Sequence, residues 1–595
     1  MNKKIIKIYI KIKSFFNRKE FSKLKIHLES KPMESDKENM DNLLPEDEGK
    51  KRKKTRLLIA IASIIVIFII IIIIIVLIRN NGEDKDQGDQ KKDDEVPEPD
   101  YKFTSIETVT LPEGITYESH AIYSKTGHIL LIYKMDNDIN TTYIGVMDED
   151  GSNLKKLWGG EWKNYYGTKA NGIRLMPFDD NKKILTGDYV LECSPNIDDC
   201  QKSELLPVIY PPEALNLEGV YFIWSEIVVS PDEHIAWSTL SSVHDNVNFI
   251  GKLEKNETNY IITNVQVIST LRFIEYEDKE KGIFKHDTLR GGEIKQFING
   301  GEALTLAGAG DSALAKSVFQ NLVGFENYPL THFPGYEETT IISPDGKLGL
   351  VMTTRFSPKT SSEILGYMPR PLCVYTVSKM NRYVYFYGVQ EIRKTRPGNI
   401  GPALINIEES KSNSSYMGYD LHEEGWAFKS PLSWNPNCKK GMFSETFKDG
   451  NNNKHRIRIV KLDNYKPSSI PEAKKTPDNI PYAKPLDCLK DLTTEDINGY
   501  FNGKSSGIMV YNKTTSFTQS EYKNYSDDGK IFYNGFEKYE DISMTSGKLT
   551  SNVVMSGEKQ GEMNLTITID YLGNILEKKG YVNYNGKTLN IDDCY

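Results

Sequence analysis

Histidine and cysteine are scarce in this chain of 595 residues, which contains nine and six of them. The cysteines form no Cys-x-x-Cys pair and no cluster with histidine, so the spacing that a structural zinc site needs is missing. Helical periodicity is also weak between residues 101 and 310, where short apolar stretches, aromatic residues and turn signals alternate. These shortages argue against a zinc-stabilised fold and against an all-helical one.

Acidic residues outnumber basic ones beyond the N-terminal region. Residues 1–56 hold 17 lysine or arginine residues against 9 acidic ones, a net charge of about +8, whereas the whole chain carries −8. The rest of the chain therefore sums to about −16. Because phosphate backbones bind positive surfaces, this acidic remainder argues against nucleic acid as a partner.

One long apolar run, Leu57–Ile78, carries no charge and includes seven consecutive isoleucines. A helix over this run would be about 33 Å long, enough to cross a hydrocarbon core of about 30 Å. A cleaved signal peptide would have a shorter apolar core and a small-residue cleavage site, whereas this run continues into Arg79-Asn80-Asn81. We therefore predict an uncleaved transmembrane signal anchor and a single-pass membrane protein.

Charges on the two sides of this run predict its orientation. A basic cluster lies within residues 50–56, and an acidic linker, residues 79–100, follows the run. By the positive-inside rule the largely disordered arm 1–56 is cytoplasmic, and the C-terminal region is extracellular or lumenal. Two interpretations of the isoleucine-rich basic segment 1–30 stay open. In the first, the segment contacts the anionic inner leaflet of the membrane; in the second, its charges serve only to orient the protein in the membrane.

The cysteines fit this location, because all six follow the apolar run and an even number in an oxidising compartment favours disulfides. Two pairings are favoured: Cys193–Cys200, which would close a hairpin tip, and Cys488–Cys594, which brackets the last hundred residues. Cys373 and Cys438 are the other candidates. Asn-x-Ser/Thr sequons, at about the number that chance would give, permit glycosylation at Asn140, Asn256, Asn413, Asn512, Asn524 and Asn564.

A turn of the type Ser-Pro-Asp-Gly recurs between short apolar strands. Its clearest copy is Ser343-Pro344-Asp345-Gly346, and a close second is Ser230-Pro231-Asp232-Glu233. Proline presets the first central φ, aspartate bonds to the local backbone, and glycine accepts a left-handed conformation. Weaker copies are Ser124-Lys125-Thr126-Gly127, Pro177-Phe178-Asp179-Asp180, Ile298-Asn299-Gly300-Gly301 and Asn435-Pro436-Asn437.

Successive turns are about 45 to 90 residues apart, a spacing typical of a propeller of four-stranded blades. The first unit also has a tyrosine strand and an Asp-Gly-x-Asn-x-x-x-Leu hairpin within residues 143–157. These features resemble the TolB-like propeller repeats over residues 101–465. The resemblance implies an all-β propeller. Six units are recognisable, and seven or eight blades stay open because residues 353–432 are long enough to hide another. Phe103–Leu111 is expected to pair with Arg456–Val460 and close the ring.

The chain after the ring divides into a proline-rich linker, residues 466–487, and a separate β-rich unit, residues 488–595. In that unit Met563, Leu565, Ile567 and Ile569 alternate with polar residues, as in a strand with one buried face. Tight hairpins are signalled by Asn502-Gly503, Asn534-Gly535 and Asn585-Gly586. We expect a small antiparallel sandwich or barrel.

Two hydrolase-like motifs are incomplete. Gly503-Lys504-Ser505-Ser506-Gly507 matches the Gly-x-Ser-x-Gly elbow, but no histidine follows it, so a surface hairpin turn is favoured. Gly310-Asp311-Ser312-Ala313 resembles the first block of the Gly-Asp-Ser-Leu hydrolases, yet no downstream Asp-x-x-His accompanies it. A helix capped by Asp311 and running to about Val323 is favoured instead, with an apolar stripe of Leu314, Val318 and Leu322.

Metal-binding patterns are incomplete as well. Asp136-Asn137-Asp138-Ile139-Asn140 opens like a calcium loop, but Thr141 and Met147 stand where glycine and glutamate are required. A polar hairpin tip is favoured. His234 and His244 could face each other across a hairpin, but they lack a third ligand. We therefore predict no catalytic residue, no metal and no cofactor.

Three functions remain compatible with these observations. The favoured one is an extracytoplasmic binding or interaction module, with a protein or glycan ligand. The alternative is a lyase or hydrolase that acts on glycan or peptide from the propeller cleft. The third is a structural adaptor between membrane and cell envelope. A central pocket with clustered His, Arg, Asp or Glu would favour the enzyme, and a filled or apolar channel would favour binding.

Overall fold

A computed structural model describes residues 100–594, which belong to one compact unit. Segments outside the description are 168–172, 218–219, 242–244, 271–275, 287–291, 310–313, 358–362, 372–399, 450–451, 492–495, 542–545 and 571–573. The predicted cytoplasmic arm, the signal anchor Leu57–Ile78 and the acidic linker up to residue 99 also lie outside the described residues. Among the residues that are described, no helix has both the length and the apolar composition to span a membrane.

Six four-stranded antiparallel units, called meanders 1 to 6, follow one another in the described part of the chain, and a parallel pair between Val208 and Tyr260 joins meanders 2 and 3 into one sheet. Meander 1 consists of β2 (Ile115–Tyr123), β3 (Ile129–Met135), β4 (Asp138–Met147) and β5 (Lys155–Gly160). Meander 2 consists of β6 (Met176–Pro177), β7 (Lys183–Thr186), β8 (Tyr189–Ser194) and β9 (Lys202–Ile209). Meander 3 consists of β10 (Val220–Val229), β11 (His234–Ser241), β12 (Asp245–Lys255) and β13 (Tyr260–Thr270).

Meander 4 consists of β16 (Gly292–Ile298), β17 (Ala303–Ala309), β18 (Ala315–Asn321) and β19 (Asn327–Pro329). Meander 5 consists of β20 (Glu337–Ile342), β21 (Leu348–Thr353), β22 (Gly401–Asn406) and β23 (Tyr419–Asp420). Meander 6 consists of β24 (Ala427–Trp434), β25 (Lys440–Asp449) and β26 (Asn452–Lys461), and β1 (Ser105–Thr108) is its fourth strand. Short helices in the described residues are α1 (Pro212–Leu215), α2 (Glu363–Gly366) and α3 (Ile407–Ser412).

Strand β3 shows why the ring strands are continuous apolar runs. Its odd-numbered residues, such as Ile129 and Leu131, pack with Met442 and Ile459 of meander 6. Its even-numbered residues, such as Leu130, pack with side chains of meander 2. Both faces of the sheet are therefore buried, and a strand buried on both faces needs apolar residues at successive positions.

The predicted turns are confirmed, because all six copies connect the first and second strands of a meander. At Asp345 the carboxylate accepts a hydrogen bond from the Ser343 hydroxyl at 2.6 Å, and the Ser343 hydroxyl accepts one from the Leu348 N–H at 3.0 Å. The fourth position is left-handed both in Gly346 (φ 76°) and in the equivalent Glu233 (φ 70°).

The predicted helix up to Val323 is wrong. Residues Ala315–Asn321 form strand β18, which pairs with β17 so that Val318 lies opposite Leu306. A spacing of four residues places Leu314, Val318 and Leu322 on one side of a helix, but equally on one side of a strand, whose period is two. The proposed Asp311 cap lies outside the described residues.

Ring closure by the N-terminal strand is confirmed. Strand β1 pairs with β26, and Ile106 lies opposite Val460. The first and last meanders are also in direct contact, since the Tyr123 N–H donates to the Ser433 hydroxyl at 3.0 Å. The described meanders therefore form a β-propeller.

The C-terminal region forms one sheet. Its consecutive antiparallel strands are β28 (Ile497–Asn502), β29 (Ser506–Lys513), β30 (Phe517–Ser526), β31 (Ile531–Asp541), β32 (Gly547–Gly557), β33 (Gly561–Ile569), β34 (Ile575–Tyr584) and β35 (Lys587–Asn590). Two ring strands, β14 (Tyr276–Asp278) and β15 (Ile283–Phe284), extend it through a parallel pair between Ile283 and Tyr500. In the described residues this is a single open sheet and not the expected sandwich or barrel.

The predicted alternation in β33 is confirmed, because Met563, Leu565, Ile567 and Ile569 are buried. They face a ring segment that contains α2, between β21 and β22, so the ring itself covers this side of the sheet. Of the Asn-Gly signals, Asn585-Gly586 forms the predicted tight turn, whereas Gly535 lies inside β31. A Cβ at Gly535 would lie 2.0 Å from the Asn552 carbonyl oxygen, so this glycine permits close backbone approach.

The proline-rich segment runs along the ring as an ordered element, called the strap (residues 465–485). The Tyr465 hydroxyl and the Ser468 N–H donate to Asp345 at 2.5 and 3.1 Å. Further along, the Thr476 N–H donates to Asp232 at 3.1 Å, and β27 (Lys484–Pro485) pairs with β13. The strap therefore crosses the Ser-Pro-Asp turns of meanders 5 and 3. The division of the chain into domains at this segment stays a prediction.

Replacing Asp345 with asparagine should loosen the strap and cost about 1 to 3 kcal/mol of stability, because a buried charged acceptor is lost. Burial raises the pKa of Asp345, but hydrogen bonds from Ser343, Tyr465 and Ser468 lower it more, so the pKa lies below its ordinary value. The stabilisation by the Asp345 carboxylate is therefore fully present above a pH of about 4. It is lost as the pH falls through the pKa of Asp345 in the folded protein.

Hydrogen exchange of the strap amides between pH 2 and pH 7 measures this effect. Asp345→Asn should raise strap exchange at neutral pH, while Asp487→Asn, at an exposed position just after the strap, should not. Equal protection in the wild type and Asp345→Asn would contradict the role of this carboxylate.

Candidate functional site

A cavity of about 580 Å³ lies at the centre of the ring. Each meander contributes its first strand to the wall, through His120, Met176, Val228, Gln296, Thr339 and Leu432. Near the Ser-Pro-Asp turns the wall includes Lys125 and Asp179 beside apolar residues, and Ile470, Pro471 and Ala473 of the strap lie at this end. The cavity therefore depends on the whole ring and not on one blade.

Charged side chains interrupt the apolar wall. The Lys295 ammonium donates to Glu293 at 2.9 Å and to Glu226 at 3.2 Å. Burial lowers the pKa of Lys295, but the carboxylates of Glu226, Glu293 and Glu338 outweigh it, so the pKa lies above its ordinary value. Lys295, with 3% of its side chain exposed, stays charged because these carboxylates surround it.

Arg174 lies beside this group. Its NH1 nitrogen is 3.7 Å from Glu226 Oε2, which is an ion pair beyond normal hydrogen-bond length. About a fifth of each of the two side chains is exposed. Among the described residues, no acceptor lies within hydrogen-bond distance of the Arg174 guanidinium, so its planar set of donors faces the cavity largely unused.

His120 supports the backbone next to Arg174. Its Nε2 accepts a hydrogen bond from the Leu175 N–H at 3.0 Å. Burial and the nearby Arg174 charge lower the pKa of His120 to about 3. The imidazole is therefore neutral at physiological pH, and its acceptor nitrogen is already occupied, which suits a positioning role better than that of a general base.

The Gly-x-Ser-x-Gly motif does not line the cavity. Gly503-Lys504-Ser505-Ser506-Gly507 joins β28 to β29 as a hairpin turn, and the Ser505 N–H donates to the Ser526 carbonyl oxygen at 3.0 Å. The residues Gly310-Asp311-Ser312-Ala313 lie outside the description.

The calcium-like segment belongs to a hairpin. Asp136 and Asn137 form its turn, and Asp138, the first residue of β4, accepts from the Tyr143 hydroxyl at 3.0 Å. His234 is buried between Asp232 and Asp478, each 3.2 Å away, whereas His244 lies outside the described residues. No group of three His, Cys, Asp or Glu side chains suited to a metal ion occurs in the described part of the chain.

The cysteines occupy different environments. Burial and the adjacent Cys200 thiol raise the pKa of Cys193. Cys488 packs at the edge of the core shared by meanders 2 and 3, while Cys594 packs against the core of the C-terminal sheet. Cys438 is buried within meander 6, and Cys373 lies outside the described residues. The Cys488–Cys594 pairing stays a prediction.

Cys193 and Cys200 are expected to be joined by a disulfide in the protein isolated without reductant, because their thiols are already neighbours. The bond would close the loop that holds Asp198, which accepts from Asn181 at 2.8 Å. Peptide mapping without reduction should recover the linked pair, and Cys193→Ser should lower the melting temperature. Two alkylated free thiols would contradict the prediction.

The glycosylation candidates are accessible, apart from one. Five sequon asparagines are exposed and Asn512 is half-buried; the exposed ones are Asn140, Asn256, Asn413, Asn524 and Asn564. Whether they are modified stays a prediction.

Sequence reasoning missed the charged group in the cavity. The available signal was a single charge inside an apolar strand, as in Ile223-Trp224-Ser225-Glu226-Ile227-Val228-Val229 and Ile294-Lys295-Gln296-Phe297-Ile298. Such a charge marks a buried pair, but only the ring brings positions 174, 226 and 295 together.

No family model matches the chain, and no curated protein sequence matches it. Solved structures with a similar arrangement include a TolB protein of Agrobacterium tumefaciens described as putative (10% identity; TM-score 0.30; 53% of this chain and 84% of the other). TolB of Acinetobacter baumannii is 12% identical over 61% of this chain and 66% of the other, with a TM-score of 0.30. A luciferin-regenerating enzyme is 10% identical over 62% of this chain and 99% of the other, with a TM-score of 0.32. Likenesses this distant say nothing about function, and the propeller assignment rests on the strand order described above.

Proposed function

We propose that this protein is a membrane-anchored binding module whose six-bladed propeller binds a ligand in its central cavity. The observation that carries the proposal is the cavity itself, which combines an apolar wall with the partly unused donors of Arg174. Pockets of this size and mixed lining are typical of small-molecule and peptide sites.

The cavity contains His, Arg and Glu side chains, which is the pattern expected for an enzyme, but their chemical states favour binding. The acceptor nitrogen of His120 is occupied by the Leu175 N–H. A general base needs an available acceptor and a pKa near the working pH. A ligand instead needs donors and acceptors that the protein leaves unused, and Arg174 supplies them.

A cavity-filling substitution tests the binding site. Thr339→Trp would fill space in the wall of β20, whereas Thr588→Trp lies on the exposed strand β35. Thermal shifts produced by a panel of amino acids and end-blocked peptides should disappear in the first variant and persist in the second. Equal shifts in both variants would place binding elsewhere.

The membrane part of the proposal rests on the apolar run Leu57–Ile78 and its charged flanks. Protease added to sealed vesicles of native orientation should remove epitopes beyond residue 100 and spare those before residue 50. The opposite pattern would invert the topology, and with it the extracytoplasmic location of the propeller.

A further inference from the structure

We propose that the cavity ligand is a free α-amino acid with an apolar side chain, bound through its carboxylate to Arg174 and through its ammonium to Glu226. This inference rests on the proposed function, since it names the class of ligand for the same cavity.

The carboxylate end is set by Arg174. The guanidinium is a rigid planar fork, and a carboxylate is the group that pairs with it through two parallel hydrogen bonds. Its contact with Glu226 at 3.7 Å does not saturate it, and the described residues provide no other partner. The partial burial of the side chain strengthens a charged hydrogen bond relative to one in bulk water.

The ammonium end is set by Glu226. Its Oε1 accepts from Lys295 at 3.2 Å, while its Oε2 has, among the described residues, only the Arg174 nitrogen at 3.7 Å as a partner. One carboxylate oxygen is therefore left as an acceptor next to an unused donor fork. An α-amino acid carries the matching donor and acceptor on one carbon atom, so both can be satisfied by a single molecule.

The charge balance favours a zwitterion over a simple anion. Arg174 and Lys295 face three carboxylates, Glu226, Glu293 and Glu338, so the group has a net negative charge. A simple carboxylate would add negative charge to this group, and a simple amine would leave the Arg174 donors unused. A molecule of net charge zero with its two ends in this orientation avoids both costs.

Part of the lining matches an apolar side chain. Met176, Val228 and Phe297 lie in the cavity wall on strands that neighbour the charged group. His120 is neutral and holds the backbone of Leu175, so it keeps Arg174 in place without adding charge. It is a positioning residue for the carboxylate site.

Isothermal titration of the full-length protein in detergent tests this inference, with L-leucine as the probe. Leucinamide lacks the carboxylate and N-acetyl-leucine lacks the ammonium, so both should bind roughly 10- to 100-fold more weakly than leucine. Arg174→Gln and Glu226→Gln should weaken leucine binding by a similar factor. Lys579→Gln, an exposed ion-pair partner on the C-terminal sheet, should leave it unchanged.

The outcomes separate this inference from the proposed function. Equal affinity for leucine and either derivative would overturn the inference, and this comparison holds even if a variant fails to fold. Binding of an end-blocked leucine dipeptide alone would support a binding cavity and overturn the amino-acid assignment. The absence of binding by every probe would count against both.

Discussion

Arg370→Met is expected to lower the free energy of unfolding by about 3 to 5 kcal/mol, because it leaves a buried carboxylate without its counter-charge. The Arg370 guanidinium donates to both oxygens of Glu537, at 2.8 and 2.7 Å, and neither side chain is exposed. Chemical denaturation followed by tryptophan fluorescence measures the loss.

The position of this pair explains why its effect should be large. Arg370 belongs to the ring segment that covers the C-terminal sheet, and it also donates to the Leu365 and Met368 carbonyl oxygens at 2.9 and 3.1 Å. Glu537 lies in the centre of the sheet, on β31. The pair therefore joins the propeller to the sheet. Its loss should open that contact and also leave the buried Glu537 carboxylate without a partner charge.

Two controls distinguish the effect of an unpaired buried charge from that of a general packing defect. The double variant Arg370→Met with Glu537→Leu should recover much of the stability, since it removes both charges and keeps apolar volume. Lys579→Met breaks an exposed pair with Glu577 and should change stability by less than about 1 kcal/mol. A double variant no more stable than Arg370→Met would contradict the electrostatic explanation.

A chain that begins at residue 115 is expected to aggregate, whereas one that begins at residue 98 should remain soluble. The shorter chain lacks β1 and exposes the edge of β26, a row of unpaired backbone groups that invites pairing with other chains. It also lacks the buried side chains Tyr101 and Val109, each worth about 1.5 to 3 kcal/mol of burial.

Size-exclusion chromatography and thermal melting of the two chains measure this difference. A third chain, beginning at residue 98 with Val109→Asp, should be soluble but less stable, because the strand can still pair while its apolar contact is lost. Equal solubility and equal melting temperatures for chains beginning at 98 and 115 would show that β1 is dispensable for the ring.

Local signals predicted the ring well. The Ser-Pro-Asp-Gly turns were found because their chemistry is contained in four residues, and all six copies connect the expected strands. Predictions from an ambiguous sequence period were wrong. A spacing of four residues at Leu314, Val318 and Leu322 fits a helix and a strand equally, and this segment forms a strand because it pairs with its neighbours in the ring. Gly535 likewise resembles a turn residue but lies within a strand.

The candidate site was beyond sequence reasoning for a different reason. Arg174, Glu226 and Lys295 are separated by 52 and 69 positions, and none belongs to a recognisable motif. Their proximity depends on neighbouring meanders of a closed ring that surround one axis. The strap was missed as well, because its prolines indicate a linker while its hydrogen bonds to Asp345 and Asp232 require the assembled turns.

By itself, the sequence determined the strand–turn–strand unit, its repetition and the pairing of Phe103–Leu111 with the last meander, because these follow from local turn chemistry and from the need to cover a strand edge. Only the tertiary structure decided the single open C-terminal sheet, the course of the strap and the charged group in the cavity. Each of these depends on contacts between residues far apart in the chain, which composition and periodicity do not encode.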